Sequence, residues 1–282
     1  MKTSNHLLRR LTAALLAAVL ALSIALPVFA SDDGDTIYIN SVSDLLSLAK
    51  SCAYDQWSVG KTVILQKDLS LEGMLWEPIP SFSGQFKGNG HTISDLTITG
   101  QYSPAGLFGI VEEQGSIESL SVRGVVSVSD SADTTTGGIV GINHGTLISC
   151  QFTGVVTGDS EVGGIVGRNE SEGTIDHSTA RAIVTGKSST GGIAGYNLGA
   201  ITGCTNVGSI NTEYQEASLD TDGFTAKMVD YINNKMAAAD DDATNSVTNV
   251  ATDTGGIAGR SSGMILTLSL IHISEPTRLR RI

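Results

Sequence analysis

The sequence predicts an all-β fold, a parallel β-helix-like solenoid with an N-terminal α+β cap and a helical insert. The main observation is a phrase, Gly-Gly-Ile-Val/Ala-Gly-x-Asn, that begins at Gly137, Gly163 and Gly191. Its period is about 27 residues, which is typical of one supersecondary unit stacked on copies of itself. Within each copy, apolar residues alternate over short runs that end at Gly or Asn, which indicates strands rather than helices.

The repeat continues beyond this phrase in columns of equivalent residues. When the copies are aligned on a second glycine, most columns hold aliphatic or small side chains. Parallel stacking would turn these columns into ladders that fill a narrow core. The columns are Ile117, Leu147, Ile175 and Ile201; Leu120, Cys150, Ser178 and Cys204; Val122, Phe152, Ala180 and Asn206; and Val126, Val156, Val184 and Ile210.

These residues resemble the GLUG motif, which occurs in bacterial surface proteins and in accessory regions of some IgA-specific metallopeptidases. The recurring phrase, the turn glycine, the aliphatic residue after it and the following cysteine carry the resemblance, over roughly residues 84–210 and 255–265. It implies a fragment of a bacterial cell-surface repeat protein. It carries over no catalytic residue, because the motif is shared by proteins of different roles. The sequence lacks a zinc motif such as His-Glu-x-x-His.

Both ends of the chain differ from the repeats. Residues 1–30 are predicted to be a signal peptide, because Arg9 and Arg10 precede an apolar run and a small-x-small cleavage site ends at Ala30. We therefore expect a secreted or cell-surface protein, with no membrane insertion after signal cleavage. Residues 268–282 leave the repeat columns, and their Ser-Glu-Pro-Thr-Arg resembles the translation of a sequencing-library adapter.

The sequence between these ends divides into four predicted segments. A cap is expected because an open solenoid end would expose ladders and unpaired strand edges. Its helix is predicted to start at Ser41 with a capping box. Trp57 and Trp76 are expected to pack where the cap meets the first turn, with an aromatic sugar platform as the alternative. The segments are the cap at 31–80, the repeats at 81–210, an acidic helical insert at 211–254 and a further, truncated turn at 255–267.

The insert is where we expect a binding surface. Its apolar residues fall on one helical stripe, which an acidic run follows. Two interpretations remain open, a loop that covers an exposed patch of the solenoid and a knob that binds a partner. The stripe is Phe224, Met228, Tyr231, Ile232 and Met236, and the candidate binding residues are Phe224, Tyr231, Asp240, Asp241 and Asp242.

No catalytic residue, cofactor or metal site is predicted. The three cysteines have no paired Cys/His spacing. Cys150 and Cys204 are two turns apart in one column, about 9–10 Å, which is too far for a disulfide. We interpret them as small buried side chains.

Polar residues in the turns have other predicted roles. Asn143, Asn169 and Asn197 are interpreted as turn residues that tolerate left-handed backbone. Two acid/base pairs can be drawn, Asp176 with His177 and His91 with Asp95, but the sequence places no third group beside either.

Two classes of function follow. The formal net charge of −12 disfavours nucleic acid as a partner, and removal of the two basic ends makes the chain more acidic still. The first class is a non-enzymatic stalk or adhesive scaffold that binds an extracellular glycan or protein. The alternatives are a β-helix polysaccharide lyase or hydrolase, which would use clustered Asp, Lys or Arg along one strand face, and the accessory region of a larger surface peptidase.

Overall fold

The computed structural model describes residues 35–54, 56–128, 134–211, 252–266 and 269–270. In these residues the chain forms one helix and 26 strands. All strand pairs among them are parallel, and they build four sheets to which successive turns contribute. The predicted β-solenoid is confirmed.

Two sheets have eight strands each. Sheet A holds, in spatial order, β1 (Thr36–Ile39), β2 (Thr62–Leu65), β5 (Gln85–Lys87), β8 (Ser116–Glu118), β12 (Thr146–Ile148), β16 (Thr174–Asp176), β20 (Ala200–Thr202) and β25 (Met264–Leu266). Sheet B holds β3 (Leu69–Ser70), β6 (Thr92–Gly100), β9 (Ser121–Val128), β13 (Gln151–Thr157), β17 (Thr179–Thr185), β21 (Thr205–Asn206) and β26 (Ser269–Leu270), with β22 (Ser209–Ile210) also paired to β17.

The other two sheets are narrower. Sheet C holds β4 (Ile79–Phe82), β7 (Phe108–Val111), β11 (Val140–Asn143), β15 (Val166–Asn169), β19 (Ala194–Asn197) and β24 (Ala258–Ser261). Sheet D holds β10 (Thr136–Gly137), β14 (Val162–Gly163), β18 (Ser188–Gly191) and β23 (Thr252–Gly255). A full turn passes through sheets C, A, B and D in that order, and the six strands of sheet C mark six turns.

The predicted columns are the strand registers of the solenoid. In sheet A, Ile117 pairs with Leu147, which pairs with Ile175, and the column continues through Ile201 to Ile265. Both predicted sheet B columns are also in register. Nearly all of these aliphatic side chains are fully buried, so the core is a set of ladders along the stack.

The N-terminal cap contains the predicted helix, α1 (Val42–Ser51). The Ser41 hydroxyl accepts a hydrogen bond from Asp44 N, an amide of the first turn, and the Asp44 carboxylate accepts one from Asn40 N, just before the N-cap. Leu45 and Leu48 are the buried residues of the helix. The cap is therefore anchored through one apolar face.

Sheets A and B extend into the segments at both ends of the repeats. Strands β1 and β2, which lie within the predicted cap segment, are the first two strands of sheet A, and the alternation of Val63 and Leu65 continues the inward ladder. At the other end, Ser269 pairs with Thr205 and Leu270 with Asn206, beyond the predicted boundary at Thr267. The rest of 268–282 lies outside the described residues.

Trp76 packs in the interior and is only 1% exposed. Its indole nitrogen donates to Leu107 O at 3.1 Å. This confirms the packing interpretation for Trp76 and excludes it as a sugar platform. Trp57 is half-buried, with the Lys61 ammonium 5.4 Å from its ring centre.

The corner between sheets A and B uses left-handed backbone at the same place in successive turns. Ser119, Ser149 and His177 have φ values of 52°, 53° and 46°, and Gly203 follows with 62°. Each backbone amide in this position donates to a carbonyl of the next turn, as Ser149 N does to Asp176 O at 2.9 Å. The hydrogen bond to the neighbouring turn offsets the steric cost of the conformation.

The glycines of the recurring phrase are required by close approach of adjacent turns. A Cβ on Gly138 would collide with Gly164 O, and one on Gly164 would collide with Gly192 O. The column therefore excludes every larger residue.

The three asparagines of the phrase are buried, which corrects their interpretation as left-handed turn residues. They form a ladder along sheet C in which Asn143 Nδ2 donates to Asn169 Oδ1, and Asn169 Nδ2 to Asn197 Oδ1, both at 2.8 Å. Each Nδ2 also donates to a glycine carbonyl of its own turn. Ser261 continues the ladder as acceptor for Asn197. Asn143 Oδ1 has no partner among the described residues, because the preceding turn carries Val111 in this column.

We predict that Asn169→Ala will lower the free energy of unfolding by about 2–4 kcal/mol, because it removes three hydrogen bonds and leaves buried polar groups of both neighbouring turns unpaired. Urea unfolding followed by circular dichroism measures the change. Thr174→Ala, at a partly exposed position of β16, is the control and should change it by less than about 0.5 kcal/mol. Equal effects of the two substitutions would contradict a stabilising ladder.

Candidate functional site

The candidate binding residues from the sequence, Phe224, Tyr231 and Asp240 to Asp242, lie outside the described residues. The structure shows where their segment is attached. Ser209 and Ile210 pair with β17, and Thr252 to Gly255 form β23 and pair with β18. Residues 252–254 of the predicted 211–254 insert thus belong to a solenoid strand, and residues 212–251 lie outside the described residues.

The two ends of this segment meet at one corner of the solenoid. Asn211 Nδ2 donates to Thr254 Oγ1 at 3.0 Å, and Asn211 Oδ1 accepts from Gly186 N at 2.8 Å. In the preceding turn, the equivalent strands of sheets B and D follow one another closely along the chain. The chain therefore leaves sheet B and re-enters sheet D at neighbouring places.

Of the two possible acid/base pairs, one is a surface contact and in the other the histidine has a different partner. His177 Nδ1 is 2.8 Å from Asp176 Oδ1, and the His177 side chain is 67% exposed. His91 Nδ1 lies 3.1 Å from Asp68 rather than from Asp95, whose carboxylate accepts from Ser70 and Ser94. The Thr92 backbone amide and His91 lower the pKa of Asp68. No group of three His, Cys, Asp or Glu residues in the described part of the chain is arranged to hold a metal ion.

The three cysteines are free and buried, as predicted for Cys150 and Cys204. Burial raises the pKa of Cys150 to about 12 and the pKa values of Cys52 and Cys204 to about 11. Between the two column cysteines, the Ser178 hydroxyl accepts from Cys150 N at 3.1 Å. These thiols are structural, since a reactive cysteine needs an accessible thiolate.

The best candidate for a site is a partly exposed column on sheet C, which we call the sheet C column. Its residues stand at the variable position of the recurring phrase and pair strand to strand. Aliphatic residues occupy the early turns, and arginines flank a tyrosine in the later turns. The column is Ile110, Ile142, Arg168, Tyr196 and Arg260.

The later half of the column is a cation–π stack. The guanidinium carbons of Arg168 and Arg260 lie 5.2 and 5.5 Å from the centre of the Tyr196 ring. Arg168 also pairs with Glu161 at 3.1 Å and with Glu170 at 2.7 Å. Its Nε makes only an ion pair to Glu170, because the hydrogen-bond geometry is poor. Arg168 is thus held in place, whereas Arg260 is exposed and can offer donors to a ligand.

Sequence reasoning missed this column, although the phrase contained the signal. The glycines, the isoleucine and the asparagine recur because they face other turns or the interior. The residue written x is Ile142, Arg168 and Tyr196 in successive copies, and its variability indicates that it faces solvent.

One turn of the solenoid matches the model of a known protein family. Residues 158–185, from the end of β13 through β17, match the family model of the GLUG motif. The chain carries a GLUG motif. The match covers one turn, and the same strand pattern in neighbouring turns extends the motif's architecture along the solenoid.

Two curated proteins are similar to part of the chain. Halomucin of Haloquadratum walsbyi is 31% identical over 155 residues, 50% of this chain. The "Putative Gly-rich membrane protein" of Evansella cellulosilytica is 29% identical over 137 residues, 35% of this chain. The matches span only 2% and 16% of the lengths of these relatives.

A solved structure is also similar. The crystal structure of a "putative immunoglobulin A1 protease" from Bacteroides ovatus aligns over 82% of this chain and 83% of that chain, with 14% identity and a TM-score of 0.36. Separately, none of the helices found in the described ranges has the length and apolar character to cross a membrane.

We predict that the thiols will not react with Ellman's reagent in the folded protein at about pH 8.5, because their raised pKa values and burial both deplete the accessible thiolate. After unfolding in guanidinium chloride, three thiols per chain should react. Absorbance of the released thiolate measures both states. Rapid release of a thiol equivalent from the folded protein would contradict the assigned burial.

Proposed function

We propose that the chain is a surface-exposed repeat region that acts as a stalk and binding scaffold, with its ligand contacts on the sheet C column and no catalysis of its own. Its localisation is then secreted or at the cell surface, consistent with the signal peptide expected at residues 1–30. An extracellular glycan or protein is the partner. The sheet C column offers such a partner aliphatic surface, a tyrosine edge and exposed guanidinium donors.

One observation carries the proposal: the innermost column of sheet C stays aliphatic in three successive turns, whereas the solvent-facing column beside it changes from aliphatic to charged to aromatic. Val140, Val166 and Ala194 stack in the sheet C interior, while Ile142, Arg168 and Tyr196 stack on its outside. A solenoid that keeps its core and varies one face presents an extended surface for recognition.

The relatives support a surface location. One is named halomucin, and the other is named a Gly-rich membrane protein. In both, the similar stretch is a small part of a longer protein, as a repeated spacer would be. The GLUG motif in residues 158–185 agrees with a repeat module.

The arrangement of carboxylates favours a scaffold over a polysaccharide-cleaving β-helix. In the outward column of sheet A, Ile148 lies between Glu118 and Asp176, and Lys87 precedes them. A lyase or hydrolase would bring its carboxylates together at one subsite. One strand separates these two in the described part of the chain, a backbone spacing of about 9–10 Å, which is wider than the about 5–5.5 Å between the carboxyl groups of a retaining pair.

We predict that binding to a glycan or protein ligand will depend on the sheet C column. The chain should be screened on an array of neutral and carboxylated glycans and extracellular matrix proteins, and hits measured by biolayer interferometry. Tyr196→Ala should weaken binding by at least about 10-fold, because loss of one interface anchor typically costs over 1 kcal/mol. Arg260→Ala should weaken it similarly.

Thr202→Ala, on the outward face of sheet A, is the matched control and should leave the affinity unchanged. Hits that bind the Tyr196 and Thr202 variants equally would place the ligand site elsewhere on the solenoid.

We also predict no release of reducing ends or unsaturated products when the chain is incubated with a broad polysaccharide panel. Mass spectrometry of the products provides the measurement. Product release that one carboxylate substitution abolishes would establish the enzyme alternative instead.

A further inference from the structure

The two arginines of the sheet C column differ in how their charge is balanced. Arg168 donates from Nη1 to Glu161, and its Nε lies 2.7 Å from a Glu170 oxygen, so two carboxylates offset its single positive charge. Arg260 contacts the Tyr196 ring but has no carboxylate partner in the part of the chain that the structure describes. The positive charge that is available to a ligand is therefore at Arg260.

Tyr196 offers a ligand its hydroxyl and the edge of its ring. Strands β15, β19 and β24 are neighbours in sheet C, so Arg168 and Arg260 stand one turn before and one turn after Tyr196. Their guanidinium groups lie over the ring, and a neutral sugar that packed on a ring face would have to displace one of them. The Tyr196 hydroxyl has no hydrogen-bond partner among the described residues and can pair with a ligand hydroxyl.

The residues that adjoin Arg260 along the chain and in its column are polar or aromatic. Ser261 and Ser262 follow it and are both exposed. The nearest aliphatic residue of the column, Ile142, is three turns away, or about 14 Å. Sugar hydroxyls would find hydroxyl and guanidinium partners at this place, whereas an apolar peptide side chain would find no aliphatic partner in the column beside the charge.

We propose that Arg260 and Tyr196 bind a glycan that ends in a single carboxylated sugar. This inference rests on the proposed function, because it names the ligand class of the same column. The carboxylate accepts two parallel hydrogen bonds from the planar guanidinium of Arg260. The Tyr196 hydroxyl pairs with a sugar hydroxyl, and the neutral remainder of the glycan runs along the column towards the earlier turns.

The glutamates beside Arg168 limit the ligand to one acidic group. Arg168 is two turns from Arg260, about 10 Å along the column. A second carboxylate at that distance would meet Glu161 and Glu170, whose two charges a single arginine already offsets only in part. The formal net charge of −12 adds repulsion at longer range. A polymer with a carboxylate on every sugar is therefore a poorer ligand than a neutral glycan with one acidic end.

Paired glycans that differ only in the carboxyl group test this inference. Neutral oligosaccharides that end in glucuronate, galacturonate or N-acetylneuraminate are compared with their carboxyl-reduced counterparts by biolayer interferometry on the full chain. At least one acidic member should bind at least about 10-fold more tightly than its reduced counterpart, because reduction removes the charge-assisted hydrogen bonds. An oligogalacturonate, with a carboxylate on every sugar, should bind no more tightly than the singly acidic member.

Variants of the arginines assign the effect to one side chain. Arg260→Ala should bring the acidic and reduced glycans to within about 2-fold of each other, since their difference arises from this guanidinium. Arg260→Lys should keep part of the preference, because an ammonium retains the charge but not the planar fork. Arg181→Ala removes another exposed arginine, on sheet B, and is the matched control that should leave the preference unchanged.

The outcomes separate this inference from the proposed function. Binding of neutral glycans that depends on Tyr196 but shows no preference for the carboxylate would overturn the inference and leave the scaffold function standing. A preference that survives Arg260→Ala, or tighter binding of the oligogalacturonate, would overturn it too. A peptide that binds through Arg260 with a free but not an amidated C-terminus, in the absence of glycan binding, would assign the site to a protein partner and overturn it. If neither glycans nor matrix proteins bind, the scaffold function fails together with the inference.

Discussion

In-register parallel stacking of the turns is the interaction on which the rest of the structure depends. Adjacent strands are about 4.8 Å apart, so each side chain packs chiefly against the same position in the turns before and after it. A column can hold valine, isoleucine and phenylalanine together, as Ile93, Val122 and Phe152 show. It cannot hold an unpaired charge, because no water reaches the interior to solvate it.

The same constraint explains why some columns are polar. A single buried asparagine in one turn would leave its amide groups unsatisfied, but identical asparagines in successive turns satisfy one another. The ladder works only at one register, because a shift by one residue would place Arg168 or Glu170 opposite Asn143 instead of an amide. It therefore links burial to register, and its unpaired end at Asn143 marks where the column changes to Val111 and Phe82.

Function is left to the positions that stacking does not fix. Outward residues contact their column neighbours but have no volume to fill, so sheet C can carry isoleucine, arginine and tyrosine at one position. The corner between sheets B and D accepts a 212–251 excursion because Asn211 and Thr254 close its base with a hydrogen bond. The solenoid thus varies its outward positions without altering its core.

The sequence by itself determined the β-solenoid, its columns, the capped helix at Ser41 and the impossibility of a disulfide between Cys150 and Cys204, because each of these follows from periodicity and spacing along the chain. It did not place the asparagines, since a short polar residue between glycines suits an exposed turn as well as a buried ladder. It also assigned β1 and β2 to a cap, although they pair in sheet A. Whether a column faces inward, and which residues meet across the corners of a turn, depends on how the four sheets close around the core. Only the tertiary structure decided these, and with them the stack of Tyr196 between two arginines.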